Sequence, residues 1–124
     1  MFKAIEVAFV GYPVTEMPRA RKFYESVLGL TPTMVFEAEG SAWIEYDIGN
    51  TTLAISNMSP EWKPSGQGPS VALEVEDFDG AIQWLKGQQV PFGVEPFPTP
   101  VCRMAIITDP DGNAVVVHKR NPPS

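Results

Sequence analysis

Apolar positions in this chain change rhythm repeatedly, and the changes mark its elements. Residues 5–14, IEVAFVGYPV, are almost continuously apolar and valine-rich, which predicts a mostly buried strand. Strand alternation places Val7, Phe9, Gly11 and Pro13 on one face and Ala8, Val10, Tyr12 and Val14 on the other. The period then becomes helical: Ala20, Phe23, Tyr24, Val27 and Leu28 form one stripe. Thr15 and Glu16 supply N-cap chemistry, Pro18 fits a first turn, and Gly29 supplies a stop. Three short strands follow, at about 32–38, 41–47 and 51–57, with Gly49-Asn50 as the turn of the last hairpin.

Residues 58–69, MSPEWKPSGQGP, have linker composition, and beyond them the pattern restarts. SVALEVE (70–76) reads as a strand and Asp77 as an N-cap. Phe78, Ala81, Ile82 and Leu85 form a second helical stripe, and the aromatics Phe78 and Trp84 are expected in the core. The proline-broken segment 90–98 can form only an irregular or edge strand. CRMAIIT (102–108), the tight turn DPDG (109–112) and NAVVVHK (113–119) form a closing hairpin, and NPPS is a frayed tail. The restart is an internal repeat. Val14 to Ala20 and Phe23 match Val75 to Ala81 and Trp84 at a constant offset of 61. Each half reads strand, helix, strand, strand, strand. Neither half has the core to stand alone, so the two are expected to pack together.

Composition narrows the function classes. A chain of 124 residues with 44% hydrophobic residues fits a single globular domain, 1–124. The net charge of −6 and the lack of a basic patch argue against nucleic acid and anionic membrane as partners. The single cysteine, Cys102, excludes an intrachain disulfide and a cysteine-rich zinc site. No apolar stretch reaches membrane-spanning length and the N-terminus has no signal-peptide pattern, so a cytoplasmic location is the expectation. Thirteen prolines exclude long uninterrupted helices. No Walker loop, dinucleotide fingerprint or arguable Ser-His-Asp set is present.

The segments VTEMPRARKFYESVLGL and ITDPDGNAVVVHK resemble the first-helix signature and closing hairpin of the vicinal oxygen chelate superfamily. That superfamily includes glyoxalases, bleomycin-resistance proteins and extradiol dioxygenases. The resemblance covers about residues 5–119. It implies an α+β fold of two tandem βαβββ modules, about 5–57 and 70–118, forming a curved mixed sheet around a cleft. It also implies a homodimer, which would cover open strand edges.

The resemblance further implies a divalent metal held by the first and last strands of each module, usually through His, Gln or Glu. Counted from the motifs, those positions are Phe9, Ala54 (to within one residue), Ser70 and Val116. None is a good ligand, and Ala8, Val10, Leu53 and Val115 beside them are no better. The expectation is a metal-independent protein that binds a small molecule in the cleft, without a cofactor. The alternatives are a metal-dependent lyase or dioxygenase, or a metal-free enzyme using His118. A displaced metal site would need His118, Glu74 and Glu45 to converge.

Candidate ligand-binding residues follow from strand alternation. His118 shares the face of Val116, as a general base, a polar anchor or a half-wet rim histidine. Glu74 shares a face with Ser70 and Ala72, facing a ligand or paired, for example with Arg103. Trp43 and Glu45 face the cleft if Ile44 faces the helices, Trp43 then offering a stacking surface unless it is core. Phe9 adds an aromatic wall. Trp62 is either a lid over a cleft or partner, or a surface anchor. Cys102 is expected to be a buried inert thiol. Carboxylates beside aromatics suit a flat or cationic ligand, with Arg103 the exception if it points into the cleft.

Overall fold

The computed structural model describes residues 1–3 and 5–123. The chain divides into two compact units, the first ending at Pro64 and the second beginning at Ser65. In the first unit, β1 (Val10–Pro13) leads into α1 (Met17–Arg21), which continues as a π-helical segment (Lys22–Val27). Then come β2 (Met34–Ala38), β3 (Ser41–Ile48) and β4 (Thr51–Ser56). In the second unit the order is β5 (Val71–Glu74), α2 (Phe78–Gly87), β6 (Phe92–Pro98), β7 (Cys102–Thr108) and β8 (Ala114–Arg120).

Both sheets have one topology, β1-β4-β3-β2 and β5-β8-β7-β6. The first strand of each unit runs parallel to the last, and the other pairs are antiparallel. The repeat is kept in three of the element starts: Val10 and Val71, Met17 and Phe78, and Ser41 and Cys102 each stand 61 residues apart. The α+β class and the tandem βαβββ modules therefore hold.

In the first unit the covered face of the sheet carries Tyr12, Ile44, Tyr46, Leu53 and Ile55, all buried with Ala20, Phe23 and Tyr24 of the helical segment. Tyr24 stacks between Tyr12 and Tyr46, at ring-centroid distances of 6.4 and 6.2 Å. The Tyr46 hydroxyl donates to Glu25 at 2.9 Å, and Glu25 also receives Arg21 Nε at 2.7 Å. Burial and this hydrogen bond push the Tyr46 phenol well above its ordinary value. In the second unit Phe78, Ile82 and Leu85 of α2 are buried with Ala105, Ile107, Val115 and Val117.

The closing turn is built by one carboxylate. Asp109 Oδ1 accepts the backbone N–H groups of Asp111 and Asn113 at 2.9 and 2.8 Å, and Oδ2 accepts Asn113 Nδ2 at 2.9 Å. Gly112 takes φ 85°, which a side chain disfavours. This explains the DPDGN motif as turn architecture rather than chemistry.

Three sequence expectations are corrected. The strand expected over 5–14 is ordered as a strand only over Val10–Pro13, and Ile5, Val7 and Phe9 are exposed. At the observed register, Val10 opposite Leu53, β4 begins too late to offer a partner to residues before Ala8. Trp84 is not core but 51% exposed, because a position six residues after buried Phe78 lies far round a 3.6-residue helix. Its repeat counterpart Phe23 is buried, and the two helices differ there: the first has slackened into π geometry, with Leu28 N–H bonded to Phe23 O at 2.9 Å. Finally, α1 has Glu16 at its N-cap, but its side chain makes no capping hydrogen bond. The edge-strand reading of 90–98 holds: β6 lies at the sheet edge with two register shifts.

Candidate functional site

Each sheet has one face covered by its helix; on the other, called open because no helix lies on it, Ala54, Ser56 and Val116 are buried while Trp43, Glu45 and His118 are half-buried. In the first unit Ile44 and Tyr46 face the helical segment, which turns Trp43 and Glu45 to the open side as the alternation required. A row across that side runs Gly11, Ala54, Glu45, Met34, and a second runs Pro13, Ser56, Trp43, Phe36. Phe9 meets Trp43 edge to face, with centroids 5.4 Å apart and planes at 87°. Trp43 Nε1 donates to Glu45 Oε2 at 2.8 Å, so the carboxylate is fixed beside the ring.

Trp62 completes this face. Its ring lies over Gly11, where an added Cβ would stand 2.9 Å from Trp62 Cη2 and 3.5 Å from Phe9 Cε2. Phe9 and Trp62 therefore close on one point, and glycine is what lets the indole approach the strand. Trp62 is 38% exposed, so the ring is half seated rather than core. Sequence reading singled out Trp62 and Gly11 separately but not their contact; the one available signal was a glycine inside a strand, which often marks a close approach.

On the open face of the second unit, Glu74, His118 and Met104 form one row, and Ala72, Val116 and Ile106 the next. His118 Nδ1 lies 2.6 Å from Glu74 Oε1. A carboxylate only accepts, so Nδ1 donates and Nε2 is left as the acceptor of the neutral ring. Glu74 Oε2 accepts the Arg120 backbone N–H at 2.8 Å. That N–H first, and the imidazole second, hold the Glu74 carboxyl below its ordinary value.

Arg103 is separated from this pair. It stands on the helix-covered side of its sheet, with its guanidinium 4.5 Å from the Phe78 ring centroid and Nη1 bonded to Asp79 Oδ1 at 3.1 Å. The partners of Glu74 are thus His118 and Arg120, not Arg103. Cys102 is buried, with Sγ 3.0 Å from Thr99 Oγ1.

The four counted metal positions carry side chains unsuited to a divalent ion. Phe9 precedes β1, Ala54 is buried in β4, Ser70 precedes β5 and Val116 is in β8. Three are hydrocarbon and one is a neutral hydroxyl, so the donor set does not fit the ion. Among the described residues no three of His, Cys, Asp and Glu come close enough to hold a metal.

Two βαβββ modules of identical strand order, each with an open sheet face, define a class of tandem-repeat domain. A model of the Glyoxalase/Bleomycin resistance protein/Dioxygenase superfamily matches residues 6–117. The chain belongs to that superfamily. Similar solved structures include TnmS3, an antibiotic binding protein from Streptomyces sp. CB03234, at 23% identity and TM-score 0.81 over 98% of this chain and 100% of that one. A glyoxalase/bleomycin resistance protein from the same organism gives 24% identity and TM-score 0.74 over 90% and 98%. The trypanothione-dependent glyoxalase I of Leishmania major gives 18% identity and TM-score 0.75 over 94% and 87%. At these identities the likenesses establish the fold. No curated protein sequence matches the chain. Among the described residues no helix is long and apolar enough to cross a membrane.

Proposed function

We propose that this protein binds a small molecule without a metal, seating a flat cationic ligand on the open face of its first sheet. One observation carries the reading: Phe9, Trp43 and Trp62 gather on that face beside a carboxylate, Glu45, held by the Trp43 indole N–H. Perpendicular rings give a flat molecule one surface for stacking and one for edge contact. Their π faces and Glu45 together favour positive charge. The antibiotic-binding description of TnmS3 supports small-molecule binding as the use of this fold. The hydrocarbon at three of the four counted ligand positions supports metal independence. The test is calorimetry with a matched pair of tricycles, 9-aminoacridine and anthracene-9-carboxylate. The cation binds and the anion does not; Trp43→Ala abolishes binding and Glu45→Gln weakens it. Equal binding of both, or binding indifferent to Trp43→Ala, refutes the reading.

A second reading rests on the 2.6 Å contact between Glu74 and His118. A carboxylate that fixes the tautomer leaves Nε2 as a general base, which would make the protein a metal-free enzyme. Turnover of any candidate substrate that survives chelator and is lost in His118→Gln would favour it. Two copies of the chain are expected to associate, since exposed Ile5 and Val7 precede an edge strand. Light scattering at micromolar concentration reads this directly.

A further inference from the structure

The groove on the helix-covered side of the second unit belongs to neither reading above. It has a volume of about 430 Å³ and lies between the first turns of α2 and the β6–β7 hairpin. Phe78 and Ile82 form one wall; Pro96, Phe97 and Pro98 form the other. That volume falls within the range of small-ligand pockets. The prolines of β6 lack N–H groups and its register shifts interrupt the ladder, so the edge is poorly suited to adding another strand. The cleft instead suits a compact apolar body.

Among the described lining residues Arg103 is the only cation and Asp79 the only anion. The Arg103 guanidinium carbon lies over the Phe78 ring, 4.5 Å from its centroid, which holds the group at the groove. A single N–H is engaged by Asp79, through Nη1 at 3.1 Å. The Asp79 side chain is 78% exposed, so this ion pair is weak and readily exchanged. A ligand carboxylate can take both donors of the fork in parallel, which Asp79 does not.

We propose that this groove is a second binding site, taking a small monocarboxylate with an apolar body. The carboxylate replaces Asp79 on Arg103, and the apolar body lies between Phe78, Ile82 and Phe97. Asp79 then acts as a built-in competitor that holds Arg103 in place while the groove is empty. The site is independent of the aromatic face of the first sheet, and its ligand has the opposite charge.

The test uses 3-phenylpropionate, with 3-phenylpropylamine as the matched cation, titrated into the full chain and followed by backbone amide chemical shifts. The acid shifts amides at Asp79, Phe97 and Arg103 saturably, and the amine does not. Arg103→Ala weakens binding by about tenfold, the loss of a charge-assisted bidentate contact, and Arg103→Lys recovers part of it. Asp79→Asn tightens binding by roughly threefold, since removing a weak competing ion pair is worth well under 1 kcal/mol. Trp43→Ala leaves this binding unchanged, which separates it from the first-sheet reading. Equal binding of the amine, a weaker rather than tighter Asp79→Asn, or shifts centred on Trp43 would each overturn the proposal. If Arg103→Ala proves unfolded by its melt, the Asp79→Asn and Arg103→Lys titrations decide alone.

Discussion

Replacing Gly11 with alanine isolates what seats Trp62. The added Cβ would stand 2.9 Å from Trp62 Cη2 and 3.3 Å from Cζ2, inside normal contact, whereas Phe9 Cε2 at 3.5 Å is ordinary. The clashing atoms are the far end of a half-exposed side chain, so the relief is for the indole to swing away. Overpacking a close contact costs about 1–3 kcal/mol. Against this, alanine in place of glycine gains about 0.4–1 kcal/mol by restricting the unfolded chain. With Trp62 present the net loss is about 1 kcal/mol. In a Trp62→Ala background the clash is gone and Gly11→Ala becomes stabilising, by about 0.4–1 kcal/mol. Urea melts of the wild type, both single variants and the double variant give the coupling directly. Trp62 emission should shift to the red in Gly11→Ala, and affinity for 9-aminoacridine should fall with it. An equal Gly11→Ala effect in both backgrounds, or unmoved emission, refutes the seating argument.

Tyr46→Phe removes a hydroxyl whose folded-state pKa is raised, so the wild-type tyrosine contributes stability that is complete below its unfolded value and lost as pH rises above it. Melts should show a loss of about 0.5–1.5 kcal/mol at neutral pH and a shallower alkaline decline in the variant. Glu74 has a depressed folded pKa, so its contribution is present above the unfolded value and lost as pH falls through the folded one; Glu74→Gln should flatten that acidic decline. The same variant should raise the solvent accessibility of the His118 ring, read by deuterium exchange at its carbon-bound ring hydrogen. Nickel or zinc at about 100 μM should leave the melting temperature unchanged, since an ion bound with a Kd of about 10 μM or tighter would raise stability by more than about 1 kcal/mol at that concentration.

Legibility of the fold followed the range of the forces involved. Beyond β1, strand and helix starts were readable to within about two residues because each rests on a local period, and the 61-residue repeat made the shared element order of the modules legible. The true start of β1 was not readable, because residues 5–7 have no β4 residue opposite them, a fact of strand pairing rather than of their own apolar pattern. Trp84 was misplaced through its match to Phe23, whose burial accompanies a π-helical segment that no local pattern announced. At the candidate site, alternation turned Trp43 and Glu45 together, but the pairing of Glu74 with His118 was missed, because it depends on which residues of β5 and β8 stand opposite each other. Alternation also fixes that Arg103 and Met104 point to opposite sides, yet which side meets the helix is a tertiary fact. That fact moved Arg103 away from Glu74 and onto Phe78.

The two modules share a strand order yet carry different side chains on the faces away from their helices. The four counted positions lie on strands or one residue before them, so the side chain there can vary without changing the sheet order. In the first module the counted position is Phe9, whose ring meets Trp43 edge to face, and glycine two residues on admits Trp62. In the second, Val116 stands beside Ala72 and Ile106, and the paired Glu74 and His118 lie one row away. A metal polarises one substrate oxygen and is indifferent to the rest of the molecule. An aromatic face with a fixed carboxylate instead reads shape and charge across a whole ring system. In the binding reading proposed above, the first module relies on recognition of this second kind, which is the chemistry a sequestering protein needs.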